Sequence, residues 1–350
     1  METFEAVAPS YERLRPMKPK RTGTFPVYPD LPGALVAASV HPDPTVAHVL
    51  ATCAGYSYSD ANTVAMMMAR LGLEDNRCLT VSESVDAMFI CSTAYLIQSA
   101  CGRVVILSYR GTEPANFINW LTDADVNPEK VAFTFDEKAK PFDVHGGFYR
   151  NVRATRYEVI AALQKALAGE SIVARASAPP HRLEALYVTG HSLGAAMAAM
   201  MGLMLSVEGA YRPILEKLRG VYTYGQPMIG SPALAEACNR VRFLREDVIR
   251  YIYRTDVVAA LPPTASGDFG HFGRERQFVE KDGAGGWVDN AAPMKQVSHL
   301  AELLMATLAF PARQLRWSRN LPWQHSLDDH GPQHYIAALT PPHVRSEFGD

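Results

Sequence analysis

Residues 190–194, GHSLG, place a serine between two glycines in the spacing G-x-S-x-G. An apolar run at 187–189 precedes this segment and small residues follow it to 204, so Ser192 is expected at a sharp turn between a buried strand and a helix. Side chains at Gly190 and Gly194 would clash in such a turn. A serine at a helix N-terminus meets free N–H groups that favour developing negative charge. The pattern predicts a nucleophile, and the alternative is a glycine-rich turn with a buried structural serine.

Predicted strands and helices alternate along the chain, and together they must hold this turn in place. One helix is predicted from a cap at Asp60 to a stop at Gly72, and a second over 152–168 with a stop at Gly169. Buried strands are predicted at both ends of 94–109, around a turn at 100–103, and at 186–188, 221–224 and 248–253. This alternation implies a mostly parallel sheet with helices on both faces. Because no long Gly/Ser linker interrupts it, residues 46–350 are expected to form one domain.

Composition limits the classes of function. The chain has 350 residues, 48% hydrophobic and 20% charged, which is a globular composition. The net charge of −2 leaves no electrostatic footprint for nucleic acid, so a neutral or acylated substrate is expected. The apolar stretch 185–207 includes His191 and Ser192, and we interpret it as strand, turn and helix, with no transmembrane segment.

The N-terminal residues 1–45 are rich in proline and contain a basic patch at Lys18, Lys20 and Arg21. Proline disfavours regular elements, so an arm without them is expected along the surface. No apolar secretory segment is visible, and the five cysteines form no CxxC pair. These features favour the cytoplasm, with signal-independent export left open.

Five segments in order resemble the class 3 lipases, the fungal-type triacylglycerol lipases. They are 108–112 (SYRGT), 119–123 (NWLTD), 144–148 (VHGGF), 190–194 (GHSLG) and 222–227 (YTYGQP). The resemblance runs from about residue 90 to 340 and implies an α/β-hydrolase fold with a lid segment. Tyr109 and Met228 depart from the family pattern, and about 274–322 is an insertion. These departures leave the substrate open.

A serine hydroxyl needs a base within reach, and the base needs an acid to orient it. In α/β-hydrolases the chain order is serine, acid, histidine. Asp256 follows the strand 248–253 and matches the family's acid. The alternative is a surface aspartate paired with Arg254. Asp282 and Asp289 are further acid candidates, which we expect in glycine-rich loops.

His330 matches the family's Asp-His before a tyrosine-containing helix and is the expected base, with His334 as the alternative. A metal site of His330 and His334 beside Asp328 and Asp329 is conceivable, but the triad needs a histidine free of metal. We therefore expect neither metal nor cofactor. His271 is expected to be structural, beside the acid.

The oxyanion formed during acyl transfer needs N–H donors. Leu193, the residue after the nucleophile, supplies one, and the resemblance assigns the other to Thr112, whose hydroxyl adds a second bond. His191 inside the turn is expected to position its neighbours and not to act as the base.

Residues 113–126 correspond to the family's lid. Its expected apolar, substrate-facing side comprises Phe117, Ile118, Trp120 and Leu121. In the insertion, apolar residues with helical spacing favour a core-facing helix over an interfacial one; they are Val297, Leu300, Ala301, Leu304 and Leu308.

The sequence thus predicts a serine carboxylester hydrolase, a lipase or esterase, that works through an acyl-enzyme on Ser192, Asp256 and His330. Triacylglycerols, phospholipids at sn-1 and short acyl esters all remain candidate substrates, and transient contact with a lipid interface is expected. An acyltransferase with the same triad is one alternative. A non-catalytic ligand-binding protein that keeps the fold is the other.

Overall fold

The computed structural model describes residues 25–39, 42–85, 90–112, 128–135, 140–281, 284–290, 294–297 and 327–344. The strands are β1 (Arg77–Val85), β2 (Ile90–Gln98), β3 (Val104–Tyr109), β4 (Pro128–Phe133), β5 (Lys140–His145), β6 (Ala185–His191), β7 (Leu218–Tyr224), β8 (Val248–Tyr253), β9 (Arg274–Lys281) and β10 (Ala284–Asn290). The helices are α1 (Leu31–Ala37), α2 (Pro44–Tyr56), α3 (Ala61–Leu71), α4 (Gly146–Ala168), α5 (Leu193–Val207), α6 (Arg212–Leu215), α7 (Pro232–Arg240), α8 (Arg242–Glu246) and α9 (Pro332–Leu339).

Eight strands form one sheet in the order β1-β2-β3-β6-β7-β8-β9-β10, and β4 pairs with β5 in a separate hairpin. The strands from β3 to β9 run parallel, with antiparallel neighbours at both ends. Because parallel strands end at the same edge, the segments that follow β3, β6, β7 and β8 meet there. The predicted α/β-hydrolase architecture, a mostly parallel sheet between helices, is confirmed.

Alternate residues of each central strand face opposite layers of helices. In β3, Val105 and Leu107 pack into the core that includes α4 and α5, whereas Val104 and Ile106 pack into the core built from α1, α2, α3 and α9. All four side chains are fully buried. The central strands are therefore apolar on both faces, which is why their sequences appear as continuous hydrophobic runs.

The expectation of an N-terminal arm without regular elements was wrong within its described part. α1 lies between Leu31 and Ala37, with Leu31 and Leu35 fully buried, and α2 already begins at Pro44. Proline does not break these helices because it occupies their first turn, where an N–H has no intrahelical partner. Asp30 caps α1 by accepting a hydrogen bond from the Gly33 N–H at 3.1 Å.

The predicted helices that end at Gly72 and Gly169 were confirmed, the second with a shifted start. α3 has its cap at Asp60 and ends at Gly72, and α4 ends at Gly169 in the left-handed conformation with a φ of +82°. α4 begins at Gly146, six residues before the predicted 152, because His145 caps it and packs its ring on Phe148 at 3.9 Å.

No single helix among the described residues is long and apolar enough to cross a membrane. Taken together, α5 and the segment Gly209–Leu215 would pass that test by length and composition, with a bend of 94° between them.

Part of the predicted insertion extends the sheet, because β9 and β10 lie within it. The Trp287 indole N–H on β10 donates to the Ala338 carbonyl of α9 at 2.9 Å, so this hairpin anchors the last described helix. Val297 is not helical and instead bonds through its backbone to Ala260 and Thr264. The remaining positions of the predicted helix, Leu300–Leu308, lie outside the described residues.

Candidate active site

Ser192 stands at the turn between β6 and α5, as predicted. Its φ of +60° and ψ of −127° are strained for a residue with a side chain. A Cβ on Gly190 would lie 2.2 Å from the Gly194 carbonyl oxygen, and one on Gly194 would lie 2.2 Å from the Tyr109 oxygen. Both glycines are therefore required by the close approach of the helix to the sheet.

Asp256 and His330 are brought together beside this turn from positions 74 residues apart, and a hydrogen bond of 2.8 Å joins the His330 Nδ1 to the Asp256 Oδ2. Asp256 follows β8 and is fully buried, whereas Arg254 pairs with Glu280. The alternative of a surface aspartate paired with Arg254 was therefore wrong.

The other candidate acids lie elsewhere. Asp289 belongs to β10 and pairs with Arg274 and Arg276 at 3.3 and 3.2 Å, so the expectation that it lies in a loop was wrong. Asp282 lies outside the described residues. Of the two candidates among the described residues, Asp256 is the one that the structure places against a histidine.

Three donors converge on the Asp256 carboxylate. Oδ2 accepts from His330 and, at 2.5 Å, from the Tyr335 hydroxyl, while Oδ1 accepts from the Val258 N–H at 2.9 Å. Burial by itself would raise the pKa of Asp256, but the positive charge that His330 can acquire and these hydrogen bonds together lower it below its ordinary value of 3.8. The acid is therefore held as a carboxylate ready to orient the imidazole.

Gly225 explains how the acid–base pair can lie against the end of β7. The Ser192 N–H donates to the Tyr224 carbonyl at 3.0 Å, and Gly225 comes next, with a φ of +58°. A Cβ on Gly225 would lie 2.6 Å from the Asp256 Oδ2 and 2.7 Å from the His330 Nδ1. No role was predicted for this glycine, although it lies within segment 222–227, which resembles the lipase family.

The turn that carries His330 is tied to the turn that carries the acid. The Asp329 Oδ2 accepts from the Thr255 hydroxyl at 2.8 Å and from the Thr255 N–H at 3.3 Å.

His334, the alternative base, stacks its ring on Tyr253, with centroids 5.2 Å apart. Within the described parts of the chain, no three His, Cys, Asp or Glu side chains are arranged to hold a metal ion.

His191 precedes the serine in the turn and contacts the residue that is the predicted base. Its Nε2 is 2.6 Å from the His330 carbonyl oxygen, its Nδ1 is 2.7 Å from the Tyr58 hydroxyl, and its ring centroid is 4.4 Å from that of His330. Burial, with a smaller contribution from His330, lowers the pKa of His191 to about 3, so the ring is neutral. Tyr58 was not predicted from the sequence because it belongs to no motif and lies 133 positions before its partner, His191.

His271 has the structural place predicted for it, because its Nε2 is 2.7 Å from the Ala259 carbonyl in the turn after the acid.

The two predicted oxyanion donors lie on the nucleophile turn itself and on the turn that packs against it. Leu193 is the first residue of α5, where an N–H lacks an intrahelical partner. Thr112 follows Gly111, where an added Cβ would lie 2.6 Å from the His191 carbonyl oxygen, so this turn packs directly on the nucleophile turn. The predicted lid residues Phe117, Ile118, Trp120 and Leu121 lie outside the described residues.

The chain is similar in sequence to known lipases. Residues 106–266 match the family model "Lipase (class 3)". A triacylglycerol lipase of Ricinus communis is 27% identical over 202 residues, covering 49% of this chain and 37% of the relative. A lipase of Rhizopus niveus is 25% identical over 179 residues, covering 50% and 39%. The chain thus spans well under half the length of the curated relatives it matches.

Solved structures share the fold. Lipase II from Rhizopus niveus superposes with a TM-score of 0.56 at 21% identity, over 84% of this chain and 94% of that one. A triacylglycerol lipase whose catalytic centre is described as a serine protease triad gives a TM-score of 0.54 at 19% identity, over 84% and 94%. The chain is therefore similar to the class 3 lipases over residues 106–266 and shares the α/β-hydrolase fold of the solved lipases.

Proposed function

We propose that the protein is a serine carboxylester hydrolase in which Ser192 is the nucleophile, His330 the base and Asp256 the acid. The observation that carries this proposal is the 2.8 Å bond between His330 and a buried aspartate, beside a serine on a strained strand-to-helix turn. A serine of this kind becomes nucleophilic only when an oriented imidazole can take its proton. The family match and the names of the curated relatives support the same chemistry.

In the acylation step the Ser192 Oγ attacks the ester carbonyl carbon while the His330 Nε2 accepts the hydroxyl proton. Asp256 stabilises the imidazolium that forms, and its lowered pKa keeps it charged for this purpose. When the tetrahedral intermediate collapses, the bond to the alkoxy oxygen breaks and His330 gives its proton to the departing alcohol. The acyl group is then esterified to Ser192.

Deacylation follows the same two steps, with water as the nucleophile. His330 takes a proton from the attacking water, a second tetrahedral intermediate forms, and its collapse returns the proton to the Ser192 Oγ and releases the carboxylic acid. In both steps the negative oxygen lies near the N-terminus of α5. The Leu193 N–H and Thr112 are our proposed donors to that oxygen, and one such donor contributes about 10²–10³ in kcat.

The substrate class follows from the neutral overall charge and from the relatives. Both curated relatives described above are named lipases, which supports a lipid or other acyl ester over a polyanionic substrate. Ser192 is only 1% exposed and His330 2%, and we propose that residues covering them move before an ester carbonyl reaches the serine. Such opening is compatible with transient contact between the protein and a lipid surface.

The proposal is tested by labelling and turnover. A fluorophosphonate probe should modify one site in the wild type, located by mass spectrometry on the peptide that contains Ser192, and should not label Ser192→Ala. Turnover of p-nitrophenyl and glycerol esters of increasing chain length should fall about 10⁶-fold in Ser192→Ala. A suitable matched variant is Ser206→Ala, on the same α5 helix, whose hydroxyl donates to the Gly202 carbonyl at 2.7 Å. Labelling that persists in Ser192→Ala would refute the proposal.

A further inference from the structure

Tyr58 connects the segment after α2 to the turn that carries the predicted base. Its hydroxyl oxygen is 2.7 Å from the His191 Nδ1, and the His191 Nε2 is 2.6 Å from the backbone carbonyl oxygen of His330. A continuous chain of two hydrogen bonds therefore runs from the tyrosine through the imidazole to the base's own backbone.

The direction of both bonds follows from the groups involved. A carbonyl oxygen can only accept, so the His191 Nε2 must carry the proton. The pKa of His191, lowered to about 3 mainly by burial, keeps the ring neutral, and a neutral imidazole has one N–H. Its Nδ1 is then an acceptor, and the Tyr58 hydroxyl must donate to it. Burial also raises the pKa of Tyr58, so the phenol keeps the hydrogen that it donates.

We infer that Tyr58 is a positioning residue for His330 that acts through His191, an inference that rests on the proposed function. Asp256 fixes the His330 ring at Nδ1. His191 fixes the backbone carbonyl of the same residue and lies against the face of its ring. The base is thus held at two ends by two separate hydrogen bonds, and Tyr58 orients the second of them.

A second contact places the same hydroxyl against the predicted oxyanion turn. A Cβ on Gly111 would lie 2.2 Å from the Tyr58 hydroxyl oxygen, so this oxygen packs directly on the residue before Thr112. Because the hydroxyl hydrogen points at His191, the oxygen is an acceptor towards its other neighbours, which include the Ser192 side chain. Tyr58 therefore does not donate to the oxyanion, and its contribution is to the arrangement of the groups that do the chemistry.

His330 lies in a short 3-10 turn, Asp328–His330, which alone gives little resistance to displacement. A misplacement of about 1 Å at a reacting group can cost about 10²-fold in rate. Loss of the Tyr58 hydroxyl leaves the His191 Nδ1 without its donor and frees that ring to rotate or change tautomer. The predicted consequence is a slower chemical step with unchanged substrate binding.

The kinetic test compares Tyr58→Phe with Tyr187→Phe. Tyr187 also loses a buried hydroxyl, which donates to the Leu35 carbonyl at 2.7 Å, in a part of the fold remote from the proposed chemistry. We expect Tyr58→Phe to lower kcat about 10–100-fold with KM unchanged, and to slow fluorophosphonate labelling in parallel. Tyr187→Phe should keep the wild-type kcat, and the two variants should have similar melting temperatures.

A direct test of the bond direction does not depend on activity. In ¹⁵N-histidine NMR spectra, His191 should be the Nε2–H tautomer in the wild type, and Tyr58→Phe should change its ring ¹⁵N shifts. A spectrum that shows the Nδ1–H tautomer in the wild type would overturn the inference. So would a Tyr58→Phe variant whose kcat equals that of Tyr187→Phe while the wild type is labelled and active. If the wild type is neither labelled nor active, the proposed function fails and this role for Tyr58 fails with it.

Discussion

The Tyr335 hydroxyl donates to the Oδ2 of Asp256, the same oxygen that accepts from the predicted base. Tyr335 lies on α9, five residues after His330, and is itself 1% exposed. The acid is therefore oriented by the helix that follows the base as well as by its own turn. Because the carboxylate accepts both bonds at one oxygen, removal of either donor should change how the other is held.

Tyr335→Phe should raise the pKa of Asp256, because the lost donor stabilised the carboxylate. A hydrogen bond to a charged group contributes about 1.5–3 kcal/mol, so we expect a loss of stability of that order at pH 7. The folded-state pKa of Asp256 is below its ordinary value of 3.8, so its contribution is present above that pH and is lost as the pH falls through the folded-state pKa. Urea unfolding at pH 7 and at a series of pH values below 3.8 should therefore show that the stability difference between the variant and the wild type becomes smaller as the pH falls. The stability loss of Tyr187→Phe relative to wild type should not become smaller in acid. If the stability losses of the two variants changed with pH in the same way, the prediction would be contradicted.

Gly225→Ala should abolish most of the activity while the sheet remains folded. The new Cβ would displace the Asp256 Oδ2 or the His330 Nδ1, which lie 2.6 and 2.7 Å from its position. We expect a fall in kcat of at least about 10²-fold. Gly286→Ala is the matched variant, because a Cβ there meets nothing within 4 Å. Wild-type kcat in Gly225→Ala would show that the acid and base can shift without consequence.

Ser192→Gly and Ser192→Ala should both be inactive but should differ in stability. Both lack the hydroxyl, yet only glycine adopts the φ of +60° and ψ of −127° without strain. Strain of this kind costs about 1–3 kcal/mol, so the glycine variant should unfold at a higher denaturant concentration than the alanine variant. Guanidinium titrations followed by circular dichroism would measure this difference. Equal midpoints would mean that the strain is absent in solution.

His330→Ala should abolish turnover, whereas His334→Ala should retain most of it. His334 is stacked on Tyr253, so its removal costs packing and not proton transfer. Initial rates on a dissolved short ester, with circular dichroism to verify folding, would separate the two. A chelator should leave the wild-type rate unchanged. If His334→Ala abolished turnover and His330→Ala retained it, the base would be His334.

Interfacial behaviour depends on the predicted lid, residues 113–126. If this segment covers the serine as predicted, its opening exposes four large apolar side chains to water, which costs several kcal/mol at about 25 cal/mol per Å². A lipid surface would accept that apolar face, so the wild-type rate should rise when the substrate exceeds its solubility limit. Replacing Phe117 and Trp120 by serine should remove this rise and leave hydrolysis of a dissolved ester largely intact.

The control for the lid experiment is Tyr157→Ser, which removes an aromatic ring that is 85% exposed on α4 and lies outside the lid. It should leave the rise in rate unchanged. A wild-type rate that passes smoothly through the solubility limit would mean that the segment is not an interfacial lid.

The features that the sequence predicted are those whose causes are local. The clashes that require Gly190 and Gly194 arise within one turn and its neighbouring strand, so a five-residue pattern contains most of the information. The buried strands were visible as apolar runs because both faces of the sheet are covered. Asp256 and His330 are different, because they are 74 residues apart and were assigned from chain order together with the family resemblance; their catalytic roles stay predictions.

What the sequence did not predict depends on contacts between distant segments. Tyr58 reaches His191 across 133 positions, and Gly225 matters only because the acid and base pack on it. α1 was missed because its proline was taken as a helix breaker, whereas its position in the first turn makes it compatible with the helix. Contacts between distant segments can be identified only in the folded structure.

The place of α2 limits how far the catalytic unit could be reduced in size. This helix precedes the family match of 106–266, yet its buried residues fill the core beneath the sheet, and the Tyr224 hydroxyl donates to its Ala47 carbonyl at 2.7 Å. A fragment trimmed to the matched region would leave that side of the sheet bare and would also lack His330. Residues 106–266 on their own are therefore expected to be inactive. A transferable unit has to include α2 at one end and α9 at the other.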